Sequence, residues 1–257
     1  MKKFSIAAFV IVLLMLVLFM VPASLMGTLL EKASNQKISM SDTEGTLWSG
    51  SGFISVIDEE NQSHALTEAP LVWTIEKLPL LWGEVSGMLA FSKDRQLNDD
   101  GRAAHFRASR SEGQIDGISI PINVAAVSKL HRNVELMRLG GAVTVDIRQV
   151  FWQHGMMTMD AALLWQHMRS GLVQLPSVGS YQVSFDAKQA DKADIDLTTL
   201  EGPLLLSAKG KMSGSGFMLE GTAEAEDADR SDLQNLLMVI GRERNGVRYF
   251  RFSAGSI

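Results

Sequence analysis

Cysteine is absent from the 257-residue chain. Disulfides, thiolate nucleophiles and cysteine-bearing metal sites are excluded with it, as is a lipid anchor on a thiol. Proline is scarce, with six residues, and no low-complexity tract occurs, so no long disordered linker is expected. Positive charge is also in short supply. The chain carries a net charge of −5, of which Lys2 and Lys3 account for +2, leaving −7 on residues 31–257. That balance argues against a nucleic-acid partner.

Catalytic patterns are missing too. The five histidines, His64, His105, His131, His154 and His167, include no pair three or four residues apart that would aim two rings at one metal. No Gly-x-Ser-x-Gly elbow, Walker loop or dinucleotide fingerprint occurs. Ser49-Gly-Ser-Gly52 and Ser213-Gly-Ser-Gly216 read as turns or flat strand segments. The acidic clusters Glu59-Glu60, Asp99-Asp100 and Glu224 to Asp227 read as solvated turns, and Asp191, Asp194 and Asp196 as a polar strand face beside a turn. A non-enzymatic protein is expected, with no catalytic residues, no cofactor and no metal.

What is present begins with a long apolar run. After Lys2 and Lys3, the stretch from Phe4 to Val21 holds no charge, and the uncharged run continues to Leu30. Eighteen helical residues span about 27 Å, close to the hydrocarbon thickness of a bilayer. The basic tip favours a cytoplasmic N-terminus. A cleaved signal peptide is the rival reading, with Val21 and Ala23 near a small-residue cleavage rule. The run exceeds the usual signal-peptide core, which favours a retained anchor. The expected organisation is a cytoplasmic tip and transmembrane anchor over 1–30, then an exported domain over 31–257. A sub-boundary near 137–141 is possible.

The exported part is expected to be mainly β. Ile38-Ser-Met40-Ser-Asp42, Leu71 to Ile75 and Ala103 to Ser109 read as strands, and from Gly141 onward alternation with period two dominates. Val143, Val145 and Ile147 share one face. Segments starting near Met157, Gly179, Ala193, Pro203 and Phe217 follow at hairpin spacing. Leu78-Pro79-Leu80-Leu81-Trp82 reads as an apolar corner ended by Gly83. Helices are expected over 122–136, where Val124, Val127, Leu130 and Val134 recur at helical spacing, and from Ser231 to Gly241. The sum is one large, twisted or curled antiparallel sheet with two or three short helices.

Tryptophan gives the one candidate surface. Trp48, Trp82, Trp152 and Trp165 stand beside glycines or around one hairpin. Large core residues with small neighbours explain them as ordinary packing. An aromatic surface for a partner or the membrane interface is the functional alternative.

The order of features resembles a known family. It comprises the basic tip, the apolar helix, Gly45-Thr-Leu-Trp-Ser-Gly50, Trp73, Leu78-Pro-Leu80, Trp82-Gly83, Gly140-Gly141, Trp165, Gly202-Pro-Leu204, Gly210, Leu233 to Gly241 and Tyr249. This is similar to the N component of the bacterial type II (general) secretion pathway. The resemblance implies a single-pass inner-membrane protein of a Gram-negative cell with a large periplasmic β-domain. Its implied partners are other inner-membrane and periplasmic parts of a machine that exports folded proteins across the outer membrane. It brings no catalytic residues. On this reading the chain is a tethered scaffold or interaction subunit. The alternative is an anchored module whose curled sheet offers an apolar trough to a lipid or another hydrophobe.

Overall fold

The computed structural model describes residues 20–57, 62–97, 103–129, 135–154, 156–189, 192–213, 216–226, 230–244 and 246–255. Most of the expected anchor, residues 4–19, lies outside this range. Among the described residues no helix is long and apolar enough to cross a membrane.

Strand follows strand along the chain. The elements are β1 (Ile38–Gly45), β2 (Ser49–Ile57), β3 (Ser63–Ala65), β4 (Leu71–Glu76), β5 (Val85–Phe91), β6 (Ala104–Ala108), β7 (Glu112–Ile122), β8 (Gly140–Gln153), β9 (Met156–Arg169), β10 (Gly179–Gln189), β11 (Lys192–Glu201), β12 (Leu204–Ser213), β13 (Gly216–Ala225), β14 (Arg242–Arg244) and β15 (Val247–Gly255). Among the described residues these form a single antiparallel sheet in the order β1-β2-β4-β5-β6-β7-β8-β9-β10-β11-β12-β13-β15-β14, with β3 joined to β2. Helices α1 (Ser24–Ala33), α2 (Val124–Lys129) and α3 (Arg230–Ile240) accompany it among the described residues.

Alternation along each strand fixes the register. Directly opposed residues share a face, so Val145, Leu163, Val183, Leu197 and Ala208 form one apolar row across β8 to β12. Ile147, Ala161, Phe185 and Ile195 form the next row. The opposite face carries charge in matching order. Asp196 faces Lys209, Lys209 faces Glu220, and Glu220 faces Arg251, whose Nε lies 3.1 Å from the carboxylate. Each such cross-strand pair contributes about 0.2–1 kcal/mol. The ladder's larger effect is on register, because a slip of one residue would turn the charges toward the apolar side.

One end of the apolar face is sealed by α3. Leu233, Leu236 and Leu237 pack there against Val178, Tyr181, Leu204, Ala223 and Phe250. The Tyr181 hydroxyl lies 3.0 Å from the carbonyl oxygens of both Val178 and Leu204, so it serves as a donor between two loop ends. Burial pushes the phenol above its ordinary ionisation range. The folded state therefore holds this proton longer than the unfolded chain. Its contribution is whole below about pH 10 and is lost as pH rises beyond that value. Urea unfolding is expected to show a fall in stability above about pH 10 that Tyr181→Phe reduces, at a cost of about 1 kcal/mol at neutral pH. An unchanged alkaline profile in the variant would count against this role.

The other half curls back on itself. Leu66 donates its amide to Ile54 of β2 at 2.8 Å, and its carbonyl accepts the Asn123 amide at 2.8 Å. The Glu68 amide reaches the Pro121 carbonyl at 3.0 Å, and Thr67 bridges Ile122. Residues 66–68 thus join β2 to the end of β7, closing a hydrogen-bonded ring through β4, β5 and β6. Past β7 the sheet runs open to β14.

The helix expected over 122–136 is shorter at its start. Ile122 still pairs with Val143 in the β7–β8 ladder, and α2 begins at Val124. The Asn123 side chain accepts the Ala125 amide at 3.1 Å, capping the new helix. Residues 130–134 are outside the described range. The apolar corner is a 3₁₀ turn, Pro79–Trp82, ended by Gly83 at φ +75°.

Candidate interaction surfaces

The first surface lies where the chain enters the domain. Val21 accepts the Leu47 amide at 2.9 Å, Ala23 donates to the Gly45 carbonyl at 3.2 Å, and Pro22 bridges Thr46. The segment leading into α1 is thereby pinned to the turn between β1 and β2. Glycine at 50 lets the wall close here, because Trp73 lies directly opposite in β4 and its ring would meet a Cβ at 2.7 Å. Trp73 is 2 % exposed, and its Nε1 donates to the Leu47 carbonyl at 3.0 Å. The Trp48 carbonyl accepts the Ile75 amide at 2.7 Å, and the Lys77 ammonium sits 6.0 Å from the centre of the Trp48 ring. Two residues, Lys77 and Leu78, then carry β4 into the 3₁₀ turn.

That turn is bare. Leu78 is 71 % exposed, Leu81 77 % and Trp82 78 %. A four-residue turn between two strands has no second layer to bury its side chains against.

The candidate tryptophans do not converge on one patch. Trp48 is half-buried beside the chain entry, and Trp82 projects from the turn. Trp152 is half-buried opposite Gly113, so close that a Cβ at that glycine would lie 2.0 Å from the indole ring. Trp165 is half-buried and donates from Nε1 to the Gly140 carbonyl at 3.1 Å. Trp152 and Trp165 thus pack on the sheet, while Trp48 and Trp82 mark one end of it. The sequence pattern of a tryptophan before a glycine does not separate these roles. The separating signal is the neighbouring Leu78-Pro-Leu-Leu81, apolar residues in a segment too short to cover them.

Titratable groups are dispersed. Among the described residues no cluster of three or more histidine, aspartate or glutamate side chains is placed to hold a metal ion. Asp194 and Asp196 stand opposite Lys211 and Lys209 on the polar face, and Asp191 is outside the described residues. His167 lies 3.9 Å from Glu201 at the sheet surface. Arg95 pairs with Asp42 and with Glu44 at 3.0 Å, and these partners raise its already high pKa. The pairs fasten the loop after β5 to β1.

Comparison with protein families decides between the possible identities of such a sheet. The model of type II secretion system (T2SS) protein N matches residues 36–252. The chain belongs to the type II secretion protein N family. Membership makes it a component of type II secretion, with other parts of that machinery as partners. The matched span runs from just before β1 into β15, so the protein N family model covers nearly the whole sheet. No curated protein and no solved structure matches the chain.

Proposed function

We propose that this protein N acts as a non-enzymatic scaffold of the type II secretion machinery, held at the periplasmic face of the inner membrane by an anchor within its first thirty residues. The observation that carries the reading is the pinning of Val21–Ala23 to the β1–β2 turn, immediately after the apolar run. A sheet hydrogen-bonded to the base of its anchor has no slack, so its surfaces stay within a short radius of the bilayer. Confinement of that kind raises the effective concentration for partners in the same layer. Exposed sheet edges then offer backbone groups to a partner strand.

The test is to exchange residues 1–20 for a cleavable signal peptide, releasing the folded domain. Secretion of a type II substrate is expected to fall to the level of a null strain while the domain accumulates at normal amounts. Full secretion from the released domain would refute the tethered scaffold.

A trough for a hydrophobe is the second reading. It is favoured by Met157, Met212 and Phe252, which stay exposed on the same face as the apolar rows. Purification of the full-length protein in mild detergent, with mass spectrometry of proteins and lipids, separates the two. The scaffold predicts secretion subunits, and the trough predicts stoichiometric lipid without them.

A further inference from the structure

The exposed corner and the chain entry occupy the same end of the sheet. Val21, then Leu47-Trp48, then Ile75 are successive hydrogen-bonded neighbours. At strand spacing this places Ile75 about 10 Å from Val21. Leu78 follows three residues after Ile75. Chain direction agrees. β1 and β4 both run toward this end, α1 starts from it, and β5 leaves it. Met20, at the edge of the described chain and at the close of the apolar run, is 77 % exposed.

We propose that Leu78, Leu81 and Trp82 form a second membrane contact, a wedge seated in the outer-leaflet interface of the same bilayer that holds the anchor. The proposal rests on the anchored reading above. Three points select a lipid surface as the occupant. The uncharged stretch from Phe4 to Val21 ends about two strand spacings from Ile75, and Leu78 is three residues further on, so the corner lies within about 20 Å of the end of that stretch. The residue types are those of an interfacial anchor, two leucines that enter the acyl boundary and a tryptophan that sits at headgroup level. The flanking charges suit such a surface. Lys77 precedes the turn, Glu84 behind it is paired with Arg107 at 2.9 Å, and Glu76 accepts the Ser86 hydroxyl at 3.0 Å. A second attachment leaves rotation only about the line that joins it to the first. The wedge therefore restricts the tilt of the whole sheet relative to the membrane.

The test uses the full-length protein reconstituted into vesicles of phosphatidylethanolamine and phosphatidylglycerol, with and without dibrominated acyl chains. Tryptophan emission is expected to be quenched by the brominated lipid, and the quenched component is expected to be lost in Trp82→Phe. Leu78→Ser with Leu81→Ser is expected to weaken quenching of Trp82 while leaving flotation with the vesicles intact. Circular dichroism of each variant checks that the sheet is preserved. Flotation with equal quenching in wild type and Trp82→Phe overturns the wedge and leaves the anchor standing. Failure of the wild-type chain to float overturns both. Trp82 shielded from lipid and from aqueous acrylamide alike would assign the corner to a protein partner and overturn the proposal.

Discussion

Replacing Leu233 with aspartate is expected to strip α3 from the sheet and lower the unfolding midpoint by on the order of 10 °C. Leu233 is fully buried in a cluster with Leu204, Ala223 and Phe250, apolar residues that offer a carboxylate no partner. Truncating such a leucine costs about 2–5 kcal/mol. A buried unpaired charge adds several kcal/mol more, so the helix gives way before the carboxylate desolvates. Undocking α3 uncovers Leu204 and Val178, both with no exposed surface in the native fold. Limited proteolysis between β13 and β14 should therefore accelerate in step with the thermal shift. Leu233→Met, which keeps volume and polarity, is expected to stay within about 1.5 kcal/mol of wild type. A native midpoint and native protease resistance in Leu233→Asp would show that α3 is not a keystone of this end.

Gly202→Ala is the second large effect. Gly202 sits at φ +110°, and a Cβ there would lie 2.3 Å from the Cα of Gly179. The two glycines are the crossing point of the loops entering β10 and β12. The obstacle is backbone on both sides, so no side chain can swing away. Positive φ costs a non-glycine residue roughly 1–2 kcal/mol, and overpacking of this kind roughly 1–3 kcal/mol. Together they predict a loss of about 3 kcal/mol, or about 6–12 °C for a chain this size. The clash also pushes against the Val178 carbonyl, which would lie 3.0 Å from that Cβ and accepts the Tyr181 hydroxyl. A variant that unfolds within one degree of wild type would mean that the crossing relaxes freely.

The sheet itself was legible because its physics is local. Period-two alternation marks β8 to β13 with no knowledge of partners, and each hairpin turn shows in glycine and acidic residues between runs. Gly241 ends α3 as its sequence position suggests, whereas Ser231, which reads as a cap, lies inside the helix, which already includes Arg230. The helix over 122–136 misled at its start because Ile122 fits an apolar helical stripe and a β ladder equally well, and pairing with Val143 decided the matter. The closure of β2 onto β7 was not legible. It depends on backbone bonds from Leu66 and Glu68, which leave no mark on side-chain pattern. Among the tryptophans, sequence identified the residues but not their surroundings. Trp152 and Trp165 pack over glycine-containing strands, and Trp82 is left uncovered by the protein because its turn is too short to fold over it.

A sheet whose strands pair almost wholly with their sequence neighbours also dictates how it assembles. Hairpins close in about 1–10 μs, whereas synthesis adds only about 5–20 residues per second. Each new strand therefore finds its template already waiting, and the nascent sheet lengthens one strand at a time from its N-terminal ring. Throughout that growth one open edge is presented to every other unfinished chain nearby. The last rung is β14, only three residues long, Arg242-Glu243-Arg244, all exposed. A short, fully charged terminal strand is a poor template for further pairing. Over residues 247–249, the part of β15 that β14 covers, further pairing at this end of the sheet is therefore discouraged.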